Sequence, residues 1–146
     1  MPPARACRSG VGHASAATAL VVAGLAVAGC GQDANDATVR SVTSRFLQAV
    51  GSGDGNTACT QLSPQTRSQL EQTAGRECRS AVTGLKLDTG RVARVQIFVG
   101  NAIVELAGGE TEFLEQGAEG WRLSALGCTP HGGKPADHPY DCKLQD

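Results

Sequence analysis

Near the carboxyl end, four side chains able to hold zinc stand close together as Cys128-x2-His131-x6-His138-x3-Cys142. Zinc takes thiolate and imidazole ligands in a tetrahedron. The spacing is not that of a standard zinc finger, however, and the intervening segment is rich in Gly and Pro. The same two cysteines can oxidise to a disulfide, which is the expectation here; no metal ligand is assigned, and His131 and His138 become exposed loop residues. Acid–base chemistry needs a titratable group held beside the substrate. Asp54 lies in a Gly-rich turn, and Glu105, Glu112 and Glu115 fall on strands, where a glutamate normally occupies the solvated face. Asp88, at the opening of the strand region, is the best-placed cavity acid. Ser63 precedes Pro64 and reads as a helix cap, not a nucleophile. No Ser/His/Asp arrangement, phosphate loop or HExxH is present. No catalytic residue is assigned, and the chain is expected not to be an enzyme.

The cysteine chemistry depends on where the chain resides. Arg5 and Arg8 give a positive start, Ala14 to Ala28 form an uncharged and mostly apolar run, and small residues close it. These are the three parts of a secretory signal. The run is short of the roughly 20 strongly apolar residues that a spanning helix needs. Ala26-Val27-Ala28 would suit ordinary secretory cleavage, but Val27-Ala28-Gly29-Cys30 resembles the bacterial lipobox: a branched aliphatic, two small residues and a cysteine. Val stands where Leu is commoner. The resemblance implies cleavage between Gly29 and Cys30, a diacylglyceryl group on the Cys30 thiol, so that covalent diacylglycerol/acyl lipid on Cys30 is the one attached group, and anchoring at the extracytoplasmic face of the cell membrane. Two acyl chains anchor stably where one does not. Residues 1–29 are then the signal peptide and 30–36 a lipidated tether reaching at most about 20 Å. Residues 37–146 form a single domain.

Composition fits that address. Six cysteines occur. Cys7 leaves with the signal and Cys30 carries lipid, so Cys59, Cys78, Cys128 and Cys142 remain, an even number in an exported chain. Of three connectivities, Cys59–Cys78 and Cys128–Cys142 are expected, since each pair lies in one structural neighbourhood. The aromatic residues Trp121, Tyr140, Phe46, Phe98 and Phe113 are few, so the core must be built from Val, Leu, Ile and Ala. All fourteen acidic residues and eleven of the thirteen basic ones lie beyond residue 30, which gives that part a net charge of −3. There is no basic block, and nucleic acid is not an expected partner.

The elements that must position these groups follow from periodicity. Val39, Val42, Phe46 and Val50 repeat at three and four, the stripe of a helix over 36–50. Gly51 to Gly55 ends it. Asn56 is expected to cap a short second helix carrying Cys59 and Leu62. Ser63-Pro64 starts a third helix that Gly75 stops, and Arg76 to Thr83 makes a fourth around Cys78. From Leu85 the period becomes two. Ala93, Val95, Ile97 and Val99 are expected inward, with a turn at Gly100-Asn101. Ala102, Val104 and Leu106 continue the inward set, then Leu114 or Phe113, then Trp121 and Leu123. The tail from Gly127 is expected to be irregular, with Tyr140 packing it onto the sheet. Helices first and an antiparallel meander after make an α+β plan, with the N-terminal helices covering a curved sheet.

Phe46-Leu47 with the following Gly-Asp-Gly, then Ala58-Cys59, Leu62-Ser63-Pro64, Gly120-Trp121-Arg122-Leu123-Ser124, Gly127-Cys128-x-Pro130 and Pro139-Tyr140-Asp141-Cys142 resemble small actinobacterial lipoproteins of unassigned function. The element order is similar to the nuclear-transport-factor-2-like, or cystatin-like, cone. That resemblance implies helices on a curved sheet enclosing a conical cavity, in a family that holds both enzymes and binders, so fold alone does not decide function. The expected function is a membrane-anchored, non-catalytic interaction or sensing module of the cell envelope. Its partner is an envelope protein. The alternatives are a carrier of a small apolar ligand in the cone, and an acid–base enzyme.

Overall fold

A computed structural model describes residues 30–131 and 140–145. Helices come first: α1 (Cys30–Ser52), α2 (Gly55–Gln61), α3 (Pro64–Ala74) and α4 (Cys78–Val82). Strands β1 (Val92–Phe98), β2 (Asn101–Leu106), β3 (Thr111–Gly117) and β4 (Gly120–Pro130) follow as an antiparallel meander, with two short tail strands, β5 (Tyr140–Asp141) and β6 (Leu144–Gln145). The α+β plan, the curved antiparallel sheet and both expected cysteine pairs are present.

The helical half is built from local signals. Asp54, not Asn56, caps α2: its carboxylate accepts the Thr57 N–H at 3.1 Å. The acid two residues further back reaches the free amides of the first turn. Ser63 caps α3 by accepting the Thr66 N–H, and Gly75 closes that helix in the left-handed conformation. The Cys78 N–H that opens α4 donates to the Glu71 carboxylate at 3.0 Å. α2 and α4 are joined by the Cys59–Cys78 disulfide. They touch so closely at Gly55 that a Cβ there would lie 1.9 Å from the Arg79 carbonyl oxygen. Only glycine permits that approach.

α1 runs the length of the sheet. Its start lies by Trp121, whose indole Nε1–H donates to the Asn35 side-chain oxygen at 3.3 Å. Its end lies by Thr89, next to Gly51. Its buried face holds Val39, Thr43, Phe46, Leu47 and Ala49, broader than the expected stripe. The helix also extends back to Cys30, so the residues assigned to the tether are helical.

The sheet corrects several expectations. Val92 pairs with Leu106 and Arg94 with Glu105, so Ala93 is an extra, bulged residue. The bulge turns Ala93 outward and brings Val92 onto the face shared by Val95 and Ile97. The hairpin turn is Val99-Gly100, because Phe98 already pairs with Asn101. Val99 therefore sits at the tip, in water, and not in the core. Leu114, not Phe113, is the inward residue of β3. The tail is not irregular throughout: β4 continues to Pro130, and β5 and β6 pair with it. The same edge of β4 is also met by the α2–α3 corner, through the Ser63 N–H to Leu123 carbonyl bond of 2.8 Å. Backbone groups that would otherwise template aggregation are thereby paired.

Candidate functional site

The side chain that departs furthest from expectation is Glu112. It is fully buried, on the same face of β3 as Leu114 and opposite Val104 of β2. The pairing of β3 with β4 shifts across this position, with Thr111 opposite Cys128 but Phe113 opposite Ala125, and shifts again between Phe113 and Leu114. The extra residues include Gly127, whose left-handed backbone (φ +60°) aims its N–H at the Glu112 carboxyl. That bond, 3.1 Å long, engages Oε2, while Oε1 has no hydrogen-bond partner.

Three charged groups gather around it. Glu110 accepts the Asp88 N–H at 2.8 Å and is paired with the Lys143 ammonium, which also meets the Lys86 carbonyl oxygen. Asp88 closes a local turn by accepting the Gly90 N–H at 2.8 Å, and its second oxygen is buried without a partner. Gly108 lies directly over that oxygen. Burial pushes the Glu112 carboxyl up to about 8, with Glu110 and Asp88 adding to the rise and the Gly127 N–H and Lys143 opposing it. A carboxyl in this setting keeps its proton at neutral pH.

Chemically, such a group resembles a general acid, and its side chain is fully buried, beside Val104 of β2 and the Gly127 N–H of β4. Open grooves mark the surface, and five of the best formed lie over the helices and the β3–β4 turn. One, of about 510 Å³, runs beside the Cys59–Cys78 disulfide, and its charges already pair as Arg79 with Glu77 and Arg67 with Glu71. None of these five reaches Glu112.

The other candidate residues are placed as follows. Cys59–Cys78 and Cys128–Cys142 are disulfides, with Cα atoms 6.1 and 3.9 Å apart, so the sulfurs of the zinc-like set are bonded to each other. His131 pairs with Asp141 at 2.7 Å, and among the described residues no group of metal-ligating side chains is assembled. His138, Gly29 and the signal segment 1–29 lie outside the described residues, while Cys30 heads α1. Asp54 and Ser63 are helix caps. Glu105 is half-buried and meets Gln96 and Arg94 across the strands, and Glu115 is half-buried on the opposite face from Leu114. Tyr140 packs edge-on against Phe113, with ring centroids 5.0 Å apart, so the tail is held by the outer face of β3. Asp88 does stand in an acidic cluster, but as a neighbour of Glu112 and not as a cavity acid.

Sequence reasoning missed Glu112, although a signal for it was present. Side chains two apart on a strand share a face, so placing Leu114 inward places Glu112 inward as well. Assigning glutamates by type to the solvated side hid that consequence. No protein-family model, curated protein or solved structure matches this chain.

Proposed function

We propose that this protein is a lipid-anchored module of the cell envelope, held by acyl chains on Cys30 at the extracytoplasmic face. It works by surface contact with an envelope protein, without catalysis. Its domain belongs in this reading to the cone-type, nuclear-transport-factor-2-like folds of small actinobacterial lipoproteins. The observation that carries the functional part is the filled interior. Val39, Phe46, Val104, Leu114 and Leu123, which line the space between α1 and the sheet, are each at most 1 % exposed. Side chains buried against one another in this way support a surface role over a substrate or an apolar guest held inside, since ligand sites are concave and preformed in most proteins. A domain with a closed core meets other molecules at its surface.

The anchor rests on the lipobox-like Val27-Ala28-Gly29-Cys30 and the signal-like run before it. Two disulfides agree with an oxidising compartment. Among the described residues no helix is long and apolar enough to cross a membrane. Among the described residues Glu112 is the feature that favours an enzyme, and its burial weighs against that role.

The test is intact mass spectrometry of the protein extracted from membranes in mild detergent. The expected species begins at Cys30, carries diacylglyceryl and acyl mass, and brings no stoichiometric small molecule with it under native conditions. A soluble product beginning elsewhere overturns the anchor. A co-purifying apolar molecule at one per chain replaces the interaction module with a carrier.

A further inference from the structure

We propose that the end of the domain at which α1 begins is seated on the membrane, with Phe98 and Val99 at the tip of the β1–β2 hairpin entering the boundary between headgroups and acyl chains. This rests on the anchored reading above and adds an orientation to it.

The geometry comes from four contacts. The Trp121 indole N–H reaches Asn35 in the second turn of α1 at 3.3 Å. Trp121 pairs across the strands with Gln116. The Gln116 N–H donates to the Gly100 carbonyl at 2.9 Å. Gly100 and Val99 are the turn between Phe98 and Asn101. The start of α1, the β1–β2 tip and the β3–β4 turn therefore share one end of the molecule. The opposite end of α1 meets Thr89 near the start of β1. Cys30 lies five residues before Asn35 in the same helix, an axial rise of about 7.5 Å. A lipid on Cys30 thus enters the bilayer from the side of the molecule where the tip projects.

The tip suits that neighbour. Phe98 is 54 % exposed and Val99 is 101 % exposed, and they are the large apolar side chains left in water among the described residues. Two acyl chains hold the domain at the surface, so a tip contact forms within one molecule at high effective concentration and need not be strong by itself. Charge does not supply the attraction. Asp33, Glu115 and Glu119 outnumber Arg122 at this end, with Asp36 and Arg40 pairing to each other. The contact is therefore apolar, and it is expected to form on neutral phosphatidylcholine and to be insensitive to salt.

The experiment uses the acylated full-length mature protein in phosphatidylcholine vesicles carrying a nitroxide-labelled lipid. A fluorophore is placed through Val99→Cys in one sample and through Ala107→Cys, on the β2–β3 turn at the opposite end, in another. The label at position 99 should be quenched at least about twofold more than the label at 107, since a tip buried roughly 5–10 Å lies within reach of the nitroxide. Equal quenching on protein with proven acylation overturns the seating and leaves the anchor intact. A label at 99 shielded from water yet unquenched shows a second copy of the chain over the tip, which also overturns it. A chain without acyl groups on Cys30 overturns the anchor and the seating together.

Discussion

At the end of the sheet where α1 begins, two apolar side chains, Phe98 and Val99, stand in water. At the opposite end a carboxyl, Glu112, is sealed from it, with Asp88, Glu110 and Lys143 as neighbours. Polarity is thus reversed at both ends relative to a typical domain surface and core. The first reversal costs little stability, because an exposed apolar group loses nothing further on folding, and it leaves a surface ready for contact. The second is costly unless the carboxyl keeps its proton. One end is therefore governed by what lies outside the chain and the other by pH.

The largest expected effect breaks that contrast at the acidic end. Glu112 has a folded pKa of about 8, above its unfolded value. Its stabilising contribution is fully present below the unfolded pKa and is lost as pH rises through the folded one. Between about pH 4.5 and 8, stability should fall by roughly 1.4 kcal/mol per pH unit and by on the order of 3 to 5 kcal/mol in total, the remaining groups held equal. Glu112→Gln keeps an oxygen for the Gly127 N–H and removes the titration. Denaturant midpoints across this range should then be nearly level for the variant and sloped for the wild type. Parallel slopes would place the titrating group elsewhere.

The next effect concerns the staple beside this cluster. Cys128→Ala with Cys142→Ala opens a loop with a sequence separation of 14 and should cost about 3 kcal/mol in the chain-entropy account. Lys143 follows Cys142 directly and donates its backbone N–H to the Leu126 carbonyl at 3.0 Å. Hydrogen exchange should therefore quicken at Gly127 and Lys143 while amides of the β1–β2 hairpin keep their protection. Uniform acceleration in both regions would show that the two ends are not separable units.

Trp121→Phe tests how α1 is tied to the exposed end. It removes the indole bond to Asn35 and, with it, part of a buried ring system, so the loss should be about 2 kcal/mol by thermal unfolding, roughly half from the hydrogen bond and half from lost packing. A much larger loss would mean that the ring's shape, not its N–H, fixes the start of the helix. The smallest effect is Val99→Ser. With the side chain fully in water, stability should change by no more than about 0.5 kcal/mol. A clear destabilisation of the isolated soluble protein would mean that the tip packs within the chain and is not available to a membrane.

Much of this architecture was legible in the residues because the forces involved are local. Ser63-Pro64 and Gly75 bracket α3 through cap chemistry that needs only neighbouring amides. The change of period near Leu85 marks the passage from helices to strands, since side-chain direction repeats by geometry alone. Four cysteines beyond residue 30, taken as neighbouring pairs, are the two pairs that the structure contains. What the sequence could not decide is where a strand slips by one residue against its partner. Ala93 faces out and Val92 in because the extra residue of β1 is defined only by pairing with β2. The irregularities of β4 that bring the Gly127 N–H to Glu112 likewise exist only between two strands. The same holds for Glu112 itself. Its type favours water, its position two residues before Leu114 favours the core, and parity within a paired strand prevails because reversing it would expose Leu114 and every other inward residue of β3.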